Sequence, residues 1–342
     1  MDNTIRGATP PHISSSATTS SPVSIKDARL QLNQWARAGG PGENRADAKK
    51  AVMDFMQNGG VNEFGEGSNQ LNLKGMGLTS LPPHLDVFAF RASGLNLQGN
   101  KLTTLEGAEK MPFLNDIDAS HNALQDSTSL AGFDHLKQLN VQGNALGELF
   151  GMKNLSGLES LNVSHNQLSS LAGMPETGNL NQLDVSHNHL IGLASMPPQS
   201  GLTSLNLGSN AVSNLRGLPP LPALQEIDVS GNPLAGNHLN FLPGNVHTVR
   251  ADNCELTQLH GLENCSRMKS LSLSGNPGLT AQAFAAFPQL KPSDKDGTYK
   301  IHSSENQKPP SNDGPQDFID VLRMSNAERE KAGIKSYFKF GI

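Results

Sequence analysis

Apolar and polar residues along this chain follow a short alternation that returns at a fixed interval. Leu95, Ile117, Leu139, Leu161, Leu183, Leu205, Ile227, Val249 and Leu271 are each followed two residues on by Leu97, Ala119, Val141, Val163, Val185, Leu207, Val229, Ala251 and Leu273. In an apolar–polar–apolar triplet two side chains point one way and the middle one points the other, which predicts a short half-buried strand in every unit. Three residues beyond each triplet stand Asn100, Asn122, Asn144, Asn166, Asn188, Asn210, Asn232, then Cys254, then Asn276, every step being 22 residues. Equal steps predict strands that stack side by side in parallel, with the rest of each unit as the crossover to the next. A less regular copy, QLNLKGMGLTSLP at 70–82, places Met76 where the later units have asparagine.

A period of roughly 20–29 residues with the wording LxxLxLxxN/CxL is the signature of a leucine-rich repeat. The expected fold class is therefore α/β: a leucine-rich-repeat solenoid of about ten units, with parallel strands on its concave face. Where the chain leaves each strand it turns sharply, and its N–H and C=O groups face the interior. A buried asparagine offers both donors and acceptors to them. The row Asn100, Asn122, Asn144, Asn166, Asn188, Asn210, Asn232, Cys254 and Asn276 reads as a structural ladder, each amide contributing roughly 1–3 kcal/mol.

The flanks break the period. Residues 1–24 hold six Ser, four Thr and three Pro with Asp2 as the one acid, a composition that cannot bury enough surface to fold. Residues 25–60 predict two short helices around Gly39-Gly40-Pro41-Gly42. Leu30, Trp35 and Ala36 give the first an apolar side, and Ala48, Val52 and Phe55 the second. A stacked array exposes core at its ends, so this pair is the expected N-terminal cap of a repeat domain spanning 61–290, with Trp35 as a buried anchor. Phe284, Phe287 and Leu290 are expected to cover the other end. In 291–342 a linker runs to 314, and Phe318, Ile319, Leu322 and Met324 predict a short amphipathic helix over 315–336.

Charge narrows the function. Residues 70–290 hold 10 Lys+Arg against 16 Asp+Glu, which argues against nucleic acid, since phosphate binding needs clustered cations. No apolar run reaches the ~18 residues of a membrane span, and the first residues lack the apolar centre of an export signal peptide. With Cys254 placed in the ladder, it and Cys265 read as reduced thiols rather than a disulfide framework. No phosphate loop or nucleophile elbow is present. His121, His165 and His187 precede ladder asparagines and His189 follows one. Without a carboxylate or cysteine in step they make no ligand set, so no metal, cofactor or catalytic residue is expected.

Two segments go further. WARAGGPGENRADAKKAVMDFMQNGG at 35–60, with LNLKGMGLTSLPPHL at 71–85, resembles the start of the leucine-rich-repeat domain in type III secretion effectors of bacterial pathogens. GNPGLTAQAFAAFPQL at 275–290, with DGTYKIHSS at 296–304, resembles its end. The likeness is to Xanthomonas-type effectors of plant pathogens, with the IpaH-type ubiquitin ligases as a second branch. It implies that residues 1–24 act as a secretion signal, that the chain works in the host cytoplasm, and that a secretion chaperone is a further partner. The period departs from the shorter, LPxLP-rich units of the IpaH branch, and only Leu218-Pro-Pro-Leu-Pro222 echoes their wording. That branch catalyses through a cysteine closely followed by aspartate; Cys254 and Cys265 do not match it. The stretch 291–342 is too short for a ligase domain.

With the ladder assigned, the side chains between the apolar triplet positions, and those two residues before each of them, are left for function. They form a polar stripe ~40 Å long across strands spaced ~4.8 Å apart. The candidate partner-binding residues on this concave face are Asp116, Asp118, Asn140, Asn162, Asp184, Asn206, Glu226, Asp228 and Arg250, with acidic spots at Asp116/Asp118 and Glu226/Asp228. The expected function is a monomeric interaction module, not an enzyme, that binds a host protein through a basic patch. Two alternatives remain: the substrate-recognition part of a ubiquitin ligase whose catalytic domain lies elsewhere, and an internalin-like adhesin.

Overall fold

The computed structural model describes residues 23–59, 69–235, 239–280, 282–284, 290–292 and 299–301. The segment expected to be unfolded over 1–24 lies outside these but for its last two residues. Phe287 and the helix expected over 315–336 lie outside as well.

Ten three-residue strands form one parallel sheet in chain order. They are β1 Gln70–Asn72, β2 Gly94–Asn96, β3 Asp116–Asp118, β4 Gln138–Asn140 and β5 Ser160–Asn162. The series continues with β6 Gln182–Asp184, β7 Ser204–Asn206, β8 Glu226–Asp228, β9 Thr248–Arg250 and β10 Ser270–Ser272. Register follows the period: Leu95 pairs with Ile117, Ile117 with Leu139, and so on to Val249 with Leu271. The first step is two residues longer, Leu71 pairing with Leu95, which explains the irregular wording of the first unit. The chain is a leucine-rich-repeat solenoid. Its apolar triplet residues point inward and are essentially unexposed, packed against the leucines of the crossovers. Among the described residues, the first crossover holds a single α-helical turn at Leu85–Phe88, and four others a single 3-10 turn, at Ala108–Lys110, Thr128–Leu130, Phe150–Met152 and Leu262–Asn264.

The asparagine ladder forms as the sequence demands. The Asn166 Oδ1 accepts from Leu146 N–H of the preceding coil at 3.0 Å. Its Nδ2 donates to Val141 O of that coil and to Val163 O of its own, both at 3.0 Å. The same three contacts recur at Asn188, Asn210 and Asn232. At Cys254 the thiol donates to Val229 O at 3.2 Å but leaves the acceptor role unfilled. Leu234 N–H, which would meet an asparagine oxygen there, bonds to Asn232 O instead.

Helices α1 (Ile25–Arg37) and α2 (Arg45–Asn58) lie against the first coil, and their apolar residues join the same core. Ser24 caps α1 by accepting from Asp27 N–H, and Gly59 ends α2 in the left-handed conformation. The inward face of α1 differs from expectation. Ala28 and Leu32 are buried and Trp35 and Ala36 half-buried, whereas Leu30 is 56% exposed. Positions 28, 32 and 35 share one helical face, and residue 30 sits on the opposite side.

The Glu43-Asn44-Arg45 stretch is the latch between helices and array. Glu43 carries a side chain only 5% exposed and accepts from Gly40 N–H, from Thr79 N–H and hydroxyl, and from Arg45. Arg45 lies over the Trp35 ring and donates to Trp35 O, while the Trp35 indole N–H donates to Ser80 Oγ at 3.0 Å. The two segments that resemble the effector family, GENR and LTSLP, thus hold each other. Gly77 is required between them: a Cβ there would lie 2.3 Å from the Gly42 carbonyl oxygen. Burial works against the Glu43 anion, but the hydrogen bonds from Gly40, Thr79 and Arg45 outweigh it and hold its pKa at about 2.

At the far end Phe284 is buried as expected. Where a linker was expected from residue 291, the backbone instead forms an antiparallel pair, β11 Leu290–Pro292 with β12 Tyr299–Ile301. Tyr299 and Ile301 are strong strand formers, a signal outweighed in the sequence by its polar surroundings.

Two stability outcomes follow. Asn166→Ala is expected to lower unfolding free energy by ~1–3 kcal/mol in urea titration, because it strands buried backbone groups on two coils. Glu43 stabilises the fold fully above its unfolded pKa of about 4.3, and that contribution is lost as pH falls towards about 2. Glu43→Gln is expected to lower the melting temperature at neutral pH and to flatten its fall between those limits.

Candidate functional site

The face of the sheet turned away from the core is the concave face of this repeat class. It carries two columns of polar side chains. The first residue of each strand gives one column, from Gln70 through Asp116, Ser204 and Glu226 to Ser270. The third gives the other, from Asn72 through Asp118, Asp184 and Asp228 to Ser272. The strands bring Asp116 beside Asp118, and Glu226 beside Asp228, as the sequence spacing implied.

The second column has a role the sequence reading did not assign. Asn96, Asp118, Asn140, Asn162, Asp184, Asn206 and Asp228 each turn Oδ1 back to accept the N–H two residues ahead, at 2.9–3.1 Å. This Asx bond closes the turn out of the strand, so the recurring Asn/Asp serves the fold as well as facing outward. The signal was legible: an Asn or Asp held four residues ahead of every ladder asparagine from Asn100 to Asn232. Asn162 and Asp184 are buried, at 2% and 8% exposure. Asp184 also accepts from Ser186 Oγ and from Asn206 Nδ2 at 3.0 Å.

Arg250 interrupts the column. Its guanidinium lies 3.8 Å from Asp228 Oδ2, and two neighbours take over the turn. Ser230 Oγ accepts Asp252 N–H at 3.1 Å, and Asp252 accepts Ser274 N–H at 2.7 Å and the Ser272 hydroxyl at 2.6 Å. Sequence reasoning missed Ser230 and Asp252, which stand outside the strand triplets.

Burial governs the carboxylates here. It raises Asp116, with Asp118 adding repulsion, and it raises Asp184 and Asp252 despite the donors each receives. Glu226 rises furthest, to about 7, with burial outweighing the opposing pull of Arg250.

Beside the column runs a row of left-handed residues that precede the ladder positions. Glycine fills it at 75, 99, 143, 231 and 275, but His121, His165, His187, Ser209 and Asn253 hold φ of +52° to +55°. Histidine and asparagine tolerate that region better than most side chains. The His165 and His187 rings stack at 4.0 Å. Parallel rings aim their nitrogens side by side rather than at one point. Among the described residues no group of three or more His, Cys, Asp or Glu could hold a metal ion. Burial raises both thiols to about 11, so neither Cys254 nor Cys265 is a poised nucleophile. Among the described residues no helix is long and apolar enough to cross a membrane.

No protein-family model matches the chain, and no curated relative matches it by sequence. Solved structures do match in fold. An internalin from Listeria monocytogenes aligns over 72% of this chain and 71% of its own, with TM-score 0.58 and 19% identity. The leucine-rich effector protein YopM from Yersinia pestis aligns over 74% and 72%, with TM-score 0.55 and 23% identity. A leucine-rich-repeat protein of Leptospira interrogans aligns over 62% of this chain and 56% of its own, with TM-score 0.51 and 22% identity. At such identities the shared property is the solenoid.

The turn column makes a separable prediction. Asp118→Asn keeps the acceptor for Ser120 N–H and is expected to leave the urea midpoint nearly unchanged. Asp118→Ala removes it and is expected to cost ~1 kcal/mol.

Proposed function

We propose that this chain is a protein-interaction module whose concave face takes a basic surface of a partner protein, and that it acts as a secreted bacterial effector on a host protein. The observation that carries the reading is the acidic sheet face itself. Extended sheet faces are what solenoids offer to partners. This one places Asp116, Asp118, Glu226 and Asp228 along a single surface with Arg250 as the cation in the same two columns. The resemblance of GENR and LTSLP to type III effectors supports the secreted part of the reading. The fold shared with YopM, an effector, and with an internalin is consistent with it.

The test uses a variant that respects the turns: Asp116→Lys and Glu226→Lys, with Asp118→Asn and Asp228→Asn retaining their backbone bonds. Tagged wild-type chain is expected to retain a discrete protein from host cytosol, and the variant to lose it while melting like wild type. Equal retention by both would remove the concave face from the proposal. Secretion is read separately: residues 1–24 fused to a translocation reporter should reach host cytoplasm only from bacteria with an intact type III apparatus.

A further inference from the structure

On β8 the sheet face carries an arrangement that the turn column does not use. Glu226 is the register partner of Ser204 on β7 and of Thr248 on β9, so the three side chains stand in one row. The half-buried Glu226 carboxylate receives no hydrogen bond from the described residues. Beside it, Ser204 is 5% exposed and its hydroxyl has no partner among them. Two residues along β8, the Asp228 Oδ1 is committed to Ser230 N–H, and its Oδ2 faces Arg250 at 3.8 Å. Buried polar groups are normally satisfied; the Ser204 hydroxyl is buried and has no partner among the described residues, and the half-buried carboxylate beside it takes no protein donor from them. An ammonium supplies three donors and a guanidinium five, enough to complete the row.

We propose that Glu226 and Ser204 form the subsite that receives a lysine or arginine side chain from a basic segment of the partner. Where Glu226 is protonated beforehand, the proton leaves to solvent as the cation seats. This rests on the concave-face reading above and names the point on that face where it acts. The step is balanced: a neutral carboxyl and a bound cation become an ion pair plus one free proton. Among the described residues, few charged groups stand near Glu226 on the sheet. From β9 come Arg250 and, at the edge of that strand, His247, with Asp252 just beyond it. Its own strand supplies Asp228. On β7 Ser204 and Asn206 are neutral, and the nearest charge beyond them is Asp184 on β6. Lys269 leads into β10. Burial sets the Glu226 pKa at about 7 against the pull of Arg250. The ionised fraction therefore climbs from about one-tenth near pH 6 to about nine-tenths near pH 8.

The test is calorimetric titration of the full chain with a capped octalysine peptide. Affinity is expected to rise about tenfold between about pH 6 and about pH 8. Near neutrality the binding heat should change with the ionisation enthalpy of the buffer, reporting the proton released. Glu226→Gln is expected to weaken binding and to abolish the step. Ser204→Ala is expected to weaken binding several-fold and keep the step. The subsite is overturned if Glu226→Gln binds like wild type with the same pH profile, or if wild type does not bind the peptide. Should Glu226→Gln also leave host-protein capture intact while the four-residue variant abolishes it, the concave face stands and only this subsite falls.

Discussion

Every coil from Asn100 onward, save the one at Cys254, is tied to the coil before it by a single side-chain amide. The turn out of each strand leaves one N–H and two carbonyls pointing inward from two neighbouring coils, and an asparagine satisfies all three. That demand holds the step between units constant. The step then fixes the register of the strands, and the register lines up every residue of the sheet face. Cys254 shows how specific the demand is: its thiol replaces a donor but not the acceptor, and the Leu234 N–H is rerouted to Asn232 O.

A second constraint runs along the outer face and is looser. The turn needs only an oxygen acceptor four residues ahead of the ladder, and Asn and Asp supply it equally. Charge at these positions is therefore not dictated by the fold. Aspartate at 118, 184 and 228 against asparagine at 96, 140, 162 and 206 sets the electrostatic character of the face without disturbing the turns. The same freedom explains how Arg250 can stand in the column at all, because Ser230 and Asp252 supply the missing acceptors from one residue layer further out.

The fold was legible because its determinants are periodic. Repetition of one wording along most of the chain leaves little room for a second interpretation, and the asparagine chemistry follows from position alone. The flanks were less legible. Leu30 and Leu32 lie on opposite sides of α1 and both are apolar, so only packing against the first coil decides which side turns inward. The candidate face was legible as a set of positions but not as an environment. Asp118 and Glu226 look alike in the sequence. The structure gives the first a backbone partner, and leaves the second half-buried beside a hydroxyl with none among the described residues. Burial and hydrogen-bond supply are properties of neighbours one full coil away, which a local reading does not weigh.

The uniform step also makes the array a ruler. Asp118 on β3 and Asp228 on β8 stand five whole steps apart, which places them about 24 Å from one another at ordinary strand spacing. Losing or gaining a unit between them would alter that separation only in increments of one strand width. A partner that touches both acidic spots must therefore match a graduated scale, and its own spacing is constrained to the same marks.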